Sequence, residues 1–102
     1  MSVMSAISIR PSSREGSKWV VDYDGHKIHF GARGYEDFTQ HHDEFRRAAY
    51  IRRHATRERW DDPMTAGFWS RWLLWENRDI VAAARNISRY LGRPIDLQLT
   101  SN

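Results

Sequence analysis

The sequence predicts an α+β fold, a β-hairpin with a terminal strand packed against three α-helices. Three observations predict it. Asp24-Gly25 separates two runs of strand-forming residues, 19–23 and 26–30. Three helical patterns follow, the middle one rich in tryptophan. The chain then closes on Ile95, Leu97 and Leu99, which alternate with Asp96 and Gln98 as a half-buried strand does. With 102 residues the chain is long enough for one domain and too short for two.

Residues 1–17 read as a flexible N-terminal arm, and 18–102 as the single domain. Ile7 and Ile9 flank Ser8 and suit an edge strand able to add to a neighbour's sheet. Pro11 to Ser17 is rich in Ser and Gly, as a linker is. Asp-Gly between two strand-forming runs signals a type I′ hairpin turn. That turn fixes the register. Tyr23 faces His26, Val21 faces Ile28 and Trp19 faces Phe30, all on the core face. Asp22 faces Lys27 and Val20 faces His29 on the other.

The first helix is expected from Thr39, as N-cap, to about Arg57. Phe45, Ala48, Ala49, Ala55 and Thr56 share one face at helical spacing, which reads as the core face. Arg46, Tyr50, Arg53 and Arg57 form the adjacent stripe. Arg52 falls inside the apolar face, so a half-buried ion pair with Asp61 or Asp62 is expected for it. Residues 60–63 read as a turn, and Thr65 as the cap of a helix from Ala66 to about Trp75. That helix is apolar nearly all round and is placed at the centre of the fold. Asn77 is read as the cap of the third helix. Its Ile80, Ala84, Ile87 and Leu91 keep one face, and Gly92 and then Pro94 stop it. The last strand is expected to pair with the hairpin.

Five Trp, four Tyr and four Phe supply a core in few residues. There is no Cys, which excludes disulfides, cysteine zinc sites and a thiol nucleophile. No apolar run approaches the ~20 residues of a membrane span. No basic segment precedes a long apolar stretch at the N-terminus, so secretion is not expected. The net charge is +3, and of 16 cationic residues only Lys18 and Lys27 are lysine; the other 14 are arginine. Arginine grips phosphate and carboxylate bidentately and stacks on rings, which makes a polyanionic partner a candidate. A coding sequence rich in G and C produces the same bias.

One stretch is distinctive: Pro63-Met64-Thr65-Ala66-Gly67-Phe68-Trp69-Ser70-Arg71-Trp72-Leu73-Leu74-Trp75. With His29-Phe30-Gly31, Gly34-Tyr35, Asp37, Thr39, His41, Asp43, Tyr50-Ile51, Arg53-His54 and Trp60, it resembles a small family of uncharacterised proteins encoded by large DNA viruses of algae and protists and by some phages. The resemblance spans roughly residues 23–91. It departs after Trp75, where the family continues Asn-Lys-Pro and this chain has Glu76-Asn77-Arg78. It implies a viral origin, with a location in the virion or in the host cytoplasm or nucleus, and no particular activity.

Three constellations could carry chemistry. Arg46, Arg47, Tyr50, Arg53, Arg57 and Arg59 form a basic, aromatic surface. It reads as a contact for nucleic-acid phosphates, with Tyr50 able to stack on a base, as a dock for an acidic or viral protein partner, or as a solvated face balanced by Glu44, Glu58, Asp61 and Asp62. His29, His41, His42 and His54, with Asp37 and Asp43, match no zinc spacing. A metal-dependent enzyme using His41, Asp43 and His54 is the weaker alternative. The Trp row at helical spacing reads as core, with Arg71 expected in a cation–π contact or a salt bridge to Asp61 or Asp62. No P-loop, nucleophile elbow or dinucleotide motif is present. The sequence therefore predicts a non-enzymatic viral interaction protein with no cofactor and no membrane contact. It would bind nucleic acid or another polyanion through the arginine-rich helix, or else serve as a minor capsid or cement component.

Overall fold

The computed structural model describes residues 6–100. Four strands, β1 (Ile7–Pro11), β2 (Ser17–Tyr23), β3 (His26–Ala32) and β4 (Ile95–Leu97), form one sheet in the order β3-β2-β1-β4. The β2–β3 hairpin has the expected register, Trp19 against Phe30, Val21 against Ile28 and Tyr23 against His26. Asp24 and Gly25 both take positive φ, 51° and 84°, as a type I′ turn requires. The fold class is the α+β one the sequence predicts.

The N-terminal boundary is not where the Ser/Gly-rich stretch placed it. In the described part of the expected arm, β1 is an internal strand; residues 1–5 lie outside the described residues. It pairs antiparallel with β2 and parallel with β4. Ile7 and Ile9 are fully buried, so this segment is structural and is not available to a neighbour's sheet. The terminal strand accordingly pairs with β1 and not with the hairpin. The link is made by Ile7 N–H donating to Pro94 O at 2.9 Å and Gln98 N–H donating to Ile9 O at 2.8 Å. Polar punctuation misled here because residues 12–16 are a short strand-to-strand loop inside the domain.

The helices are α1 (Phe38–His41), α2 (Glu44–His54), α3 (Ala66–Trp69) and α4 (Ile80–Leu91), with α3 running on into a π-helical turn, Ser70–Leu74. Thr65 caps α3 as expected, accepting from Phe68 N–H. Asp79, rather than Asn77, caps α4, and Gly92 ends it in the left-handed conformation. The core lies between one sheet face and the tryptophan helix with α4. It is built from Ile7, Ile9, Val21, Phe30, Phe68, Trp69, Leu73, Leu74, Ala83, Ala84 and Ile87. Trp69 is fully buried and sits edge-on to Tyr23 at 6.2 Å and to Phe68 at 5.0 Å. Its indole N–H donates to Pro63 O at 2.7 Å. The tryptophan helix is thus the central post of the fold.

Candidate nucleic-acid interface

The arginine-rich segment is two helices. Asp37 caps α1 and is buried; its backbone N–H donates to Gln40 in return, completing a capping box. Lys18 holds it from the sheet, Nζ lying 2.8 Å from Asp37 and 2.7 Å from Gln40 Oε1. His42 then turns left-handed at φ 56°, and Asp43 caps α2 by accepting from Phe45 and Arg46 N–H. A helix running from Thr39 to Arg57 was expected. Two Asp caps six residues apart interrupt it at one end. At the other, α2 stops at His54 and leaves Arg57 in the following turn.

The side of α2 that packs is the reverse of the expected one. Phe45 is 89% exposed, and Ala48, Arg52, Ala55 and Thr56 are exposed with it. The inward face carries Arg47, Tyr50 and His54. Tyr50 is stacked flat on Trp75, with centroids 4.3 Å apart and planes 2° apart, and His54 covers its other side at 4.3 Å. Arg47 lies over the Phe38 ring, donates Nε–H to Trp75 O at 2.7 Å and pairs with Glu76 at 2.8 Å. A tyrosine ring and an arginine stem cover more aromatic surface than scattered alanines, so they win the inward position.

These contacts redistribute the six expected site residues. Arg47 is a structural anchor, and Tyr50 has both ring faces covered and is not free to stack on a base. Arg46 is exposed and lies 3.6 Å from Glu36. Arg53, Arg57 and Arg59 are exposed, as is Arg52, which is not paired with Asp61 or Asp62 as expected. Among the described residues none of these four makes an ion pair. Arg71 is buried over Trp60 and Trp72, at 5.2 and 4.4 Å, and pairs with Glu76 at 2.6 Å in place of the expected Asp61 or Asp62.

Glu76, which sequence reasoning passed over, is thus the carboxylate between two guanidinium groups. Burial alone would raise its pKa, but Arg71 and then Arg47 outweigh that and hold it below the ordinary carboxylate value. The signal for it was the departure of this chain from the resembled pattern right after Trp75.

The histidines do not come together at one place among the described residues. Asp43 N–H donates to His41 Nδ1 at 2.9 Å, so that nitrogen is the acceptor in a cap. His41 Nε2 is buried beside Trp75, and burial pushes the His41 pKa below its ordinary value. His54 Nδ1 lies 3.4 Å from Glu58, His29 Nδ1 meets Ser12 Oγ at 2.8 Å, and His42 bonds Thr39 O. Among the described residues no three His, Asp or Glu side chains are placed to hold a metal ion.

A cleft of about 510 Å³ separates α2 from the body of the domain. Arg46, Tyr50, Arg53 and His54 line it from α2, Lys18 and Gly31 from the sheet, and Glu58, Gly67 and Ser70 from across it. So the structure does gather Arg46, Tyr50 and Arg53 at one place, while Arg57 and Arg59 lie outside it. The Glu58 carboxylate rests where a Cβ on residue 67 would be, which requires glycine there for that arrangement. A second groove of about 510 Å³, lined by Trp60, Phe68, Trp72, Ile87 and Tyr90, is mainly apolar.

Residues 7–54 match the model of a family described only as a family of unknown function, DUF5754. The match begins at β1 and ends with the last residue of α2, so it takes in the sheet's first three strands and the arginine helix. The tryptophan block lies outside it. No curated protein and no solved structure matches the chain. No helix among the described residues is long and apolar enough to cross a membrane.

Proposed function

We propose that the protein binds nucleic acid through the outward face of α2 and the turn that follows it. One observation carries this reading. Arg52, Arg53 and Arg57 are exposed without a carboxylate partner, on and just after a helix that also exposes Phe45. Unpaired guanidinium groups on a rigid helix release condensed counterions when they meet phosphates. Arg46 and Arg59 extend the same basic surface, whereas Arg47 belongs to the fold. The viral origin implied by the tryptophan block, and with it a virion or host cytoplasmic or nuclear location, is part of this proposal. The family of unknown function adds no activity of its own.

The test is a salt titration of binding to a fluorescent duplex. A slope of log affinity on log salt near −0.9 per phosphate contacted is expected, reduced by about one unit for each of Arg52→Gln, Arg53→Gln and Arg57→Gln. Absence of binding at low salt would end this reading.

The exposed Phe45, between Ala48 and Ala49 on one face, favours a second reading. In it the same helix face docks the chain into a particle as a minor capsid or cement component. That reading requires the protein in purified virions at stoichiometric copy number.

A further inference from the structure

We infer that the cleft beneath α2 receives one unstacked base of a single-stranded nucleic acid, its edge met by the Tyr50 hydroxyl and the Glu58 carboxylate and its phosphates by Arg53 and Arg46. The inference rests on the proposed function and sharpens it from nucleic acid in general to a single strand.

Tyr50 is the starting point. Its side chain is more than nine-tenths buried, and its hydroxyl makes no hydrogen bond within the protein but is not among the fully buried polar atoms, so it reaches the open space of the cleft that Tyr50 lines. Trp75 and His54 cover the two ring faces. What Tyr50 can present to the cleft is therefore its edge and its hydroxyl. A hydroxyl at the cleft wall with no bond inside the protein is free to bond a ligand that displaces water there. Burial and the Glu58 charge raise its pKa to about 12, so it remains a donor at any physiological pH.

Glu58 supplies the complement. One carboxylate oxygen faces His54 at 3.4 Å; the other lies over Gly67 with no hydrogen bond. A donor hydroxyl and an acceptor carboxylate at one cleft match the edge of an amine-bearing base such as adenine, which offers an N–H₂ beside a ring nitrogen. About 510 Å³ is enough for a nucleotide-sized ligand. At the cleft's margin Arg53 is unpaired. Arg46 is held only by an exposed contact to Glu36, 3.6 Å long, which a phosphate displaces easily. The carboxylates of Glu36 and Glu58 disfavour a phosphate inside the cleft, which leaves the interior to the base.

The comparison of strands separates this from simple charge attraction. A purely electrostatic binder prefers the duplex, whose charge density is higher. A duplex cannot deliver a base to the cleft without breaking a pair. The experiment uses the full chain with fluorescent oligodeoxyadenosine and a duplex, each about twelve nucleotides long, at matched salt. The single strand is expected to bind about tenfold more tightly. Tyr50→Phe, which keeps the ring stack, is expected to weaken single-strand binding about three- to tenfold while leaving duplex binding and melting temperature unchanged. Gly67→Ala, whose methyl displaces the Glu58 carboxylate, is expected to weaken the same affinity and serves as a second variant. Equal or tighter duplex binding, or a Tyr50→Phe protein that binds the single strand like wild type, would overturn the inference. If duplex binding still responds to Arg52, Arg53 and Arg57, the function proposed for α2 survives that result. Failure to bind either strand form removes both.

Discussion

Glu76→Gln tests whether α2 is held to the core by one shared carboxylate. In the native protein Glu76 Oε1 lies 2.6 Å from Arg71 Nη1 and 2.8 Å from Arg47 Nη2. At an effective dielectric near 20, each contact carries a gross attraction of about 6 kcal/mol. The Glu76 side chain is 38% exposed, so solvent screening and the desolvation of three ions cut the net value to about 2 kcal/mol for the pair of contacts. For a domain of this size that lowers Tm by about 8–16 °C. Repeating the substitution in an Arg71→Met background should cost about half as much, since one of the two cations is already gone.

The pH dependence supplies a check on sign. Glu76 has a folded pKa below its ordinary 4.5, so its contribution is present above pH 4.5 and is lost as pH falls through the folded value. Urea unfolding of wild type and Glu76→Gln should therefore differ at neutral pH and converge in acid. A gap under about 0.5 kcal/mol at neutral pH, or one that persists in acid, would refute the reasoning. Because Arg47 also holds Trp75 O, amide exchange in α2 should rise more than exchange in α4.

Other predictions follow from the same contacts. Trp69→Ala should cost about 3–5 kcal/mol in urea unfolding, since the side chain is fully buried among core aromatics. Phe45→Ser should change stability by less than about 0.5 kcal/mol, because the ring is 89% exposed; a larger loss would mean that α2 packs on its other side. His41, whose folded pKa lies below its ordinary 6.5, contributes stability that is fully present above pH 6.5 and lost as pH falls through the folded value. Unfolding curves of His41→Asn should then be flatter with pH than wild type across that window. In salt titrations of duplex binding, Arg47→Gln should leave the slope unchanged while lowering Tm, in contrast to Arg53→Gln.

The hairpin register was legible because Asp24-Gly25 sets it, and that register put Val21 and Phe30 on the core face; Val20, expected on the opposite face, is buried as well. The tryptophan helix was legible as core because polar positions are too few around it to leave an exposed side. The position of β1 was not legible. Its pairing with β4 joins residues nearly ninety positions apart, and nothing local in Ile7-Ser8-Ile9 distinguishes an internal strand from an edge. The candidate site was half legible. The sequence named Arg46, Tyr50 and Arg53, which do line one cleft, but read Glu58 only as a balancing surface acid and passed over Glu76, which Arg47 reaches from 29 positions away.

The error over α2 has a physical cause that bears on function. A periodicity count weighs Phe45, Ala48, Ala49 and Ala55 as apolar and Arg47, Tyr50 and His54 as polar or mixed. Burial instead follows the contact area each side offers to what lies beneath. Beneath α2 lie Trp75 and Phe38, flat aromatic surfaces that accept a stacked phenol and a guanidinium as readily as an aliphatic chain. The helix therefore docks with its amphipathic residues inward. Its phenylalanine and its unpaired arginines are left outside, where they contribute little to folding. An exposed aromatic ring beside unpaired guanidinium groups suits a partner that is both planar and anionic. Single-stranded nucleic acid has both properties, and under the inference drawn above the cleft on the same helix would take a base that duplex DNA keeps paired.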